Sequence, residues 1–195
     1  MSTQKIKGSV LKSRLAFVEQ QFGREGLQKV TESLETEDRK ALENVLPVAW
    51  LDFELGKRLD DTIVRVLGGG RVEVFERLGE ASADANLTSV HSAFLAPGNP
   101  HGFLEKAPQI YGMYYQTGRR EYERTGEKEG VLTTFDAETF SKPDCLTVIG
   151  WYKRALEMCG AVNPRIIEDE CRARGGNVCR YRVSWSCPLF FSAPF

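Results

Sequence analysis

The chain has 195 residues, with 26 basic and 27 acidic side chains for a net charge of −1. That length suits one domain able to bury a core without disulfides or metals as staples, and the balanced charge gives no electrostatic case for nucleic acid or an anionic membrane surface as partner. No apolar run approaches the roughly 18 residues of a membrane span, and the N-terminal MSTQKIKGSVLKSRLAF lacks the apolar stretch and cleavage site of a signal peptide, so a cytoplasmic protein with reduced cysteines is expected.

Taken in chain order, the first hundred residues read as helices. Leu11, Leu15, Val18 and Phe22 recur at helical spacing, with Ser9 as a cap and Gly23 as a stop. A short second helix carries Leu27, Val30 and Leu34, and Pro47 breaks the following segment. Leu51, Leu55, Leu59, Ile63 and Leu67 mark one stripe of a long helix that ends at Gly68-Gly69-Gly70. That glycine run follows a helix and lacks the Lys-Ser/Thr ending of a phosphate loop, so it reads as a helix end and linker. Val72, Phe75, Leu78 and Ser82 start a helix that runs with a kink to Phe94; Ala96 to Gly102 reads as a loop. Phe103, Ala107, Ile110 and Tyr114 form a further stripe, closed by Gly118.

Beyond residue 118 the period changes. RREYERT and GVLTTFDAE flank a polar GEKE turn as a β-hairpin. PDCLTVIGWYKRALEMCG is helical, with Pro143 and Asp144 at its start and Gly160 after its end. NPRIIEDECRA and NVCRYRVSW make a second hairpin about Gly175-Gly176. The expected fold is therefore α+β: a helical part over 1–118, then hairpin, helix and hairpin over 119–186 forming an antiparallel sheet, in one domain over 1–186. An apolar tail, residues 187–195, closes the chain.

Chemistry concentrates near the C-terminus. The two histidines, His91 and His101, stand apart, and no Gly-x-Ser-x-Gly elbow occurs, so no enzyme is expected. All five cysteines lie between Cys145 and Cys187. If the second hairpin turns through a three-residue loop, Cys171 and Cys179 face each other, and two thiolates so placed can share one tetrahedral Zn²⁺. Cys145 opens the preceding helix, where backbone N–H groups stabilise a thiolate. Glu168 can complete the set only if the strand bends or bulges before Cys171, because i and i+3 of a regular strand point to opposite faces. Asp169 and Glu170 are substitutes for it. The alternative, three thiols as small core hydrophobes, fits the spacing as well. Cys159, on the apolar side of its helix, and Cys187, in the tail, are left out of the site.

Pro143 to Trp185 resembles the C-terminal half of the vinyl-4-reductase-type ligand-binding domain, which also forms the sensor of phenol-responsive bacterial activators. The likeness is carried by Cys145, by Gly150-Trp151-Tyr152, by Arg165-Ile166-Ile167 and by Glu-x-x-Cys-x7-Cys. It implies a structural Zn²⁺ on Cys145, Glu168, Cys171 and Cys179, whose intervals of 23, 3 and 8 positions match. From GSVLKSRLAFV onward the chain also resembles a myxobacterial paralogous family, with ERLGEASAD and the closing Cys-x-Tyr-x-Val-x-Trp stretch carrying that likeness. Both groups are similar to a superfamily that includes heme–nitric oxide binding (H-NOX) domains and TRAPP vesicle-tethering subunits. What this implies is a cavity for an apolar or aromatic small molecule, with Phe103, Tyr111, Tyr114, Phe135, Trp151 and Tyr152 as its candidates, and a homodimer. A cytoplasmic sensor signalling through a protein partner is the leading expectation. The alternatives are a TRAPP-like interaction module that docks through its tail, and, more weakly, an enzyme acting on a tetrapyrrole vinyl group. Tyr111 stands where the phenol sensors carry a ligand-holding His, and the H-NOX Tyr-x-Ser-x-Arg heme motif is absent.

Overall fold

A computed structural model describes residues 4–89 and 91–186. Its first element is a strand, β1 (Lys5–Lys7), which pairs antiparallel with β2 (Trp50–Asp52). Helix α1 (Gly8–Glu32) follows at once, without a side-chain cap. Instead, the free N–H groups of Gly8 and Ser9 reach the carbonyls of Ala49 and Pro47, at 2.8 and 3.0 Å. Gly23, expected to stop the helix, kinks it: its φ of 69° lies outside helical space, and the helix resumes beyond it. Helix α2 (Thr36–Glu43) precedes β2.

Helix α3 (Phe53–Val66) is capped by the Asp52 carboxylate, which accepts from the Glu54 N–H. The expected stripe thus begins one turn too early, since Leu51 lies on β2. Helix α4 (Val74–Leu87) is followed by a single turn at Ser92–Phe94 rather than a continuous helix. The expected loop at Ala96 to Gly102 ends in helix α5 (Pro100–Leu104), started by Pro100 and by Asn99, whose side chain accepts from the Gly102 N–H. Helix α6 (Ala107–Tyr114) completes the helical part.

The sheet comprises β3 (Arg119–Gly126), β4 (Glu129–Phe135), β5 (Val162–Glu170) and β6 (Cys179–Ser186). Their spatial order is β3-β4-β6-β5, antiparallel throughout. Helix α7 (Lys142–Met158) links the two hairpins. This is the α+β architecture that the change of period at residue 118 implies.

Helix α7 packs most closely against α4, and glycine makes that approach possible. A Cβ on Gly150 would stand 1.8 Å from the Glu76 carbonyl oxygen, and one on Gly79 would stand 2.1 Å from that of Thr147. Two apolar clusters lie on either side of this contact. Leu11, Val18, Leu59, Ile63, Phe75 and Leu78 join α1, α3 and α4, while Phe103, Leu132, Trp151, Tyr152, Leu156 and Val183 join α5 and α7 to the sheet. Among the described residues, no helix is long and apolar enough to cross a membrane.

Candidate metal centre and adjoining cavity

The ladder between β5 and β6 is interrupted where the site forms. Glu168 pairs with Tyr181 and Glu170 with Arg180, so β5 advances two residues while β6 advances one. Asp169 is the extra residue of a β-bulge, which turns Glu168 and Cys171 toward one side despite their spacing of three. Cys171 then precedes a single 3₁₀ turn, Arg172–Arg174, and Gly175 (φ 88°) reverses the chain toward Cys179. This connection is longer than the three-residue loop considered above, yet it still returns Cys179 to the vicinity of Cys171. Cys145 sits in the first turn of α7, where Ser141 caps the helix by accepting from the Asp144 N–H.

One ligand atom from each of Cys145, Glu168, Cys171 and Cys179 lies within 4.8 Å of the others. The Cys145 sulfur is 3.7 Å from that of Cys171 and 3.9 Å from that of Cys179. A disulfide needs about 2.05 Å. A tetrahedron with Zn–S bonds of about 2.3 Å has edges of about 3.8 Å, so the spacing suits an ion shared between the sulfurs. Glu168 supports the same reading, since its Oε1 is buried and has no hydrogen-bond partner. Its other oxygen lies 3.3 Å from the Arg174 guanidinium.

The thiols also polarise one another. A hydrogen bond from Cys145 pulls the Cys179 thiol down to about 7. Cys145 itself is pushed well up, by its bonds to Cys171 and Cys179 and by burial. The other two acidic residues stay outside the cluster. Asp169 pairs with Arg180 and Arg182, and Glu170 accepts from the N–H groups of Asn177 and Val178, which fixes the connection. Cys159 is buried elsewhere in the core, near the Ala96 N–H. Cys187 and the expected docking tail lie outside the described residues.

A partly open cavity of about 60 Å³ adjoins α7, bounded also by α4, α6 and β3. Four of the six expected residues, Tyr111, Tyr114, Trp151 and Tyr152, line it. Phe103 lies behind them, with its ring 6.0 Å from those of Trp151 and Tyr152. Phe135 stands apart, under the Arg119 guanidinium, because it occupies the face of β4 opposite the buried Leu132 and Thr134. Sequence reasoning missed the polar lining: Ser82, Asn86, Thr147 and above all Arg120. The alternation in RREYER, which puts Arg120 and Tyr122 on one face and Glu121 and Glu123 on the other, was the available signal.

Neither histidine lines the cavity. His101 donates from Nε2 to the Glu127 carbonyl and accepts at Nδ1 from the Tyr122 hydroxyl, as a satisfied structural residue. The ring of His91 packs edge-on against Phe94 and Tyr114. With about 60 Å³ and no imidazole or thiol in its lining, the cavity does not fit a heme.

A family model described as "protein of unknown function (DUF2378)" matches residues 17–186. None of the curated proteins matches the chain. Among solved structures, the Fe(II) unliganded H-NOX protein from K. algicida superposes with a TM-score of 0.73 at 14% identity, over 95% of this chain and 100% of its own. An oxygen-binding H-NOX domain related to soluble guanylate cyclases does so at 0.68 and 12%, over 97% and 100%. At these identities the likeness is one of fold.

Proposed function

We propose, for a chain that belongs to the DUF2378 family, a small-molecule-binding sensor module with a structural zinc on Cys145, Glu168, Cys171 and Cys179. The observation that carries this reading is that one helix serves both places. Helix α7 brings Cys145 to the ligand cluster from its first turn, and Val148, Trp151 and Tyr152 to the cavity wall from its next two. Four protein ligands close the coordination sphere, so the ion has no position for a substrate and its role is structural. It would tie the start of α7 to the β5–β6 connection and so set the wall of the cavity. The match to vinyl-4-reductase-type sensors in the intervals between these four residues supports zinc as the metal. The fold shared with H-NOX proteins supports binding, with occupancy read by a protein partner, over catalysis.

Elemental analysis of protein never exposed to chelator tests the metal: about one zinc per chain is expected. Cys171→Ser and Cys179→Ser release it, whereas Cys159→Ser retains it. A metal-free wild type, or equal loss from all three variants, would sink the assignment.

A further inference from the structure

Arg120 carries a buried charge that no carboxylate among the described residues answers. It lies on β3 and is only 6% exposed. Among the described residues no carboxylate lies within ion-pair distance of it. Its Nε donates to Thr134 Oγ1 at 2.9 Å, and its guanidinium lies over the rings of Tyr111, Tyr152 and Tyr181 at 5.0, 5.5 and 5.9 Å. Ring faces offset only part of the cost of burying a cation. The contrast with the chain's other fully buried arginine is direct: Arg14 is flanked by two carboxylates, Asp60 and Asp144.

The surroundings of Arg120 lack acceptors in the same way. The hydroxyls of Tyr114 and Tyr152 are buried without a hydrogen-bond partner, and both residues line the cavity that Arg120 lines. The Tyr152 oxygen lies near enough to the guanidinium to favour its charge, but its proton has no acceptor. Burial holds the Tyr114 phenol well above its ordinary pKa, so it is a neutral donor at physiological pH. Ile110, Val148 and Trp151 add an apolar wall, while Asn86 and Thr147 already donate, to Ser82 Oγ and to the Pro143 carbonyl. One cation and two unpartnered hydroxyls beside an apolar wall match a single negative charge on a short apolar body. A phosphate, with about twice that charge near neutral pH, would need more donors than this.

We infer that the cavity takes a small organic monocarboxylate, with Arg120 as its counter-ion and the Tyr114 and Tyr152 hydroxyls donating to it. This rests on the small-molecule-binding reading above and names the chemical class of the ligand.

The test is calorimetric titration of the metal-loaded full chain with acetate, butyrate and benzoate, each beside its neutral amide. At least one carboxylate should bind about tenfold or more tightly than its amide. Arg120→Met should abolish that preference. It should also leave the thermal midpoint of the ligand-free protein unchanged or raised, because an unanswered buried charge has been removed. Tyr152→Phe, which deletes one hydroxyl, should weaken the carboxylate several-fold with the fold intact, and Arg24→Gln, at an exposed position on α1, should leave carboxylate binding unchanged. Amides binding as well as carboxylates, or an undiminished preference in Arg120→Met, would overturn the anion assignment and leave the sensor reading standing. Binding of neither class would overturn both.

Discussion

At the scale of single residues, Asp169 shows how a site can depend on a side chain that does not belong to it. Its only role in the cluster is to be the extra residue of the bulge, yet without that bulge Glu168 and Cys171 would point to opposite faces. The four proposed ligands were legible in the sequence as types and intervals. That they share one side of the hairpin was not, because a bulge is set by pairing with another strand. Their chemistry gives a prediction with a sign. A zinc bound by three sulfurs needs three thiolates, whereas in the free site the Cys145 thiol is pushed up and keeps its proton near neutral pH, and Cys179 is brought down only to about 7. Zinc uptake at pH 7 should therefore release more than one proton, and affinity should fall as pH drops. Titration calorimetry in two buffers of different ionisation enthalpy counts those protons directly. A count of zero would exclude coordination by thiolates.

Among elements, the contact between α4 and α7 positions everything else. Gly79 and Gly150 let the two backbones touch, and the nearest atoms to an added Cβ are carbonyl oxygens that cannot turn away. Gly150→Ala should cost about 3 kcal/mol, at the upper end for overpacking. Gly112, on α6, has nothing within 4 Å of an added Cβ and ordinary helical geometry. There alanine should raise stability by about 0.5–1 kcal/mol. Urea unfolding of the two variants checks both signs, and equal effects would mean that the helix contact is not under strain. The helices themselves were readable from their apolar spacing, as were both hairpins from alternation and turn residues. The misses have physical causes that apolar spacing does not carry: a distant strand partner, a local kink and a cap. Leu51 is in phase with the stripe of α3, but pairing with β1 holds it in a strand. Gly23 looks like a stop, but the helix resumes beyond it. Pro100 looks like a loop residue, and only the cap from Asn99 makes it a helix start.

Over the whole molecule, the two apolar clusters are joined by a polar knot that no sequence pattern announces. Arg14, on α1, lies in the fully apolar phase of its helix, yet it holds Asp60 of α3 through Nε at 2.5 Å and Nη2 at 3.0 Å. The same Nη2 reaches Asp144, beside the proposed metal ligand Cys145, at 3.3 Å, and the Tyr115 hydroxyl donates to that carboxylate at 2.9 Å. One cation thus stands between two buried carboxylates from the two halves of the fold. Burial pushes the Asp60 carboxyl up to about 6, with Arg14 pulling the other way. Since that value lies above the unfolded one of about 3.9, the folded state binds the proton more tightly. This group's contribution to stability is therefore greatest below about pH 4 and declines as pH rises through about 6. Arg14→Met removes the cation and should cost about 3–5 kcal/mol at pH 7.5, because it leaves both carboxylates unpaired. The loss should shrink at pH 5, where Asp60 is mostly protonated. Asp60→Asn should cost less, since Arg14 keeps Asp144 as its partner. Urea unfolding in excess chelator, which removes the opposing pH dependence of the metal, measures each variant at both pH values. A pH-independent loss, or a larger loss for Asp60→Asn than for Arg14→Met, would show that the two cores are held together by their apolar contact alone.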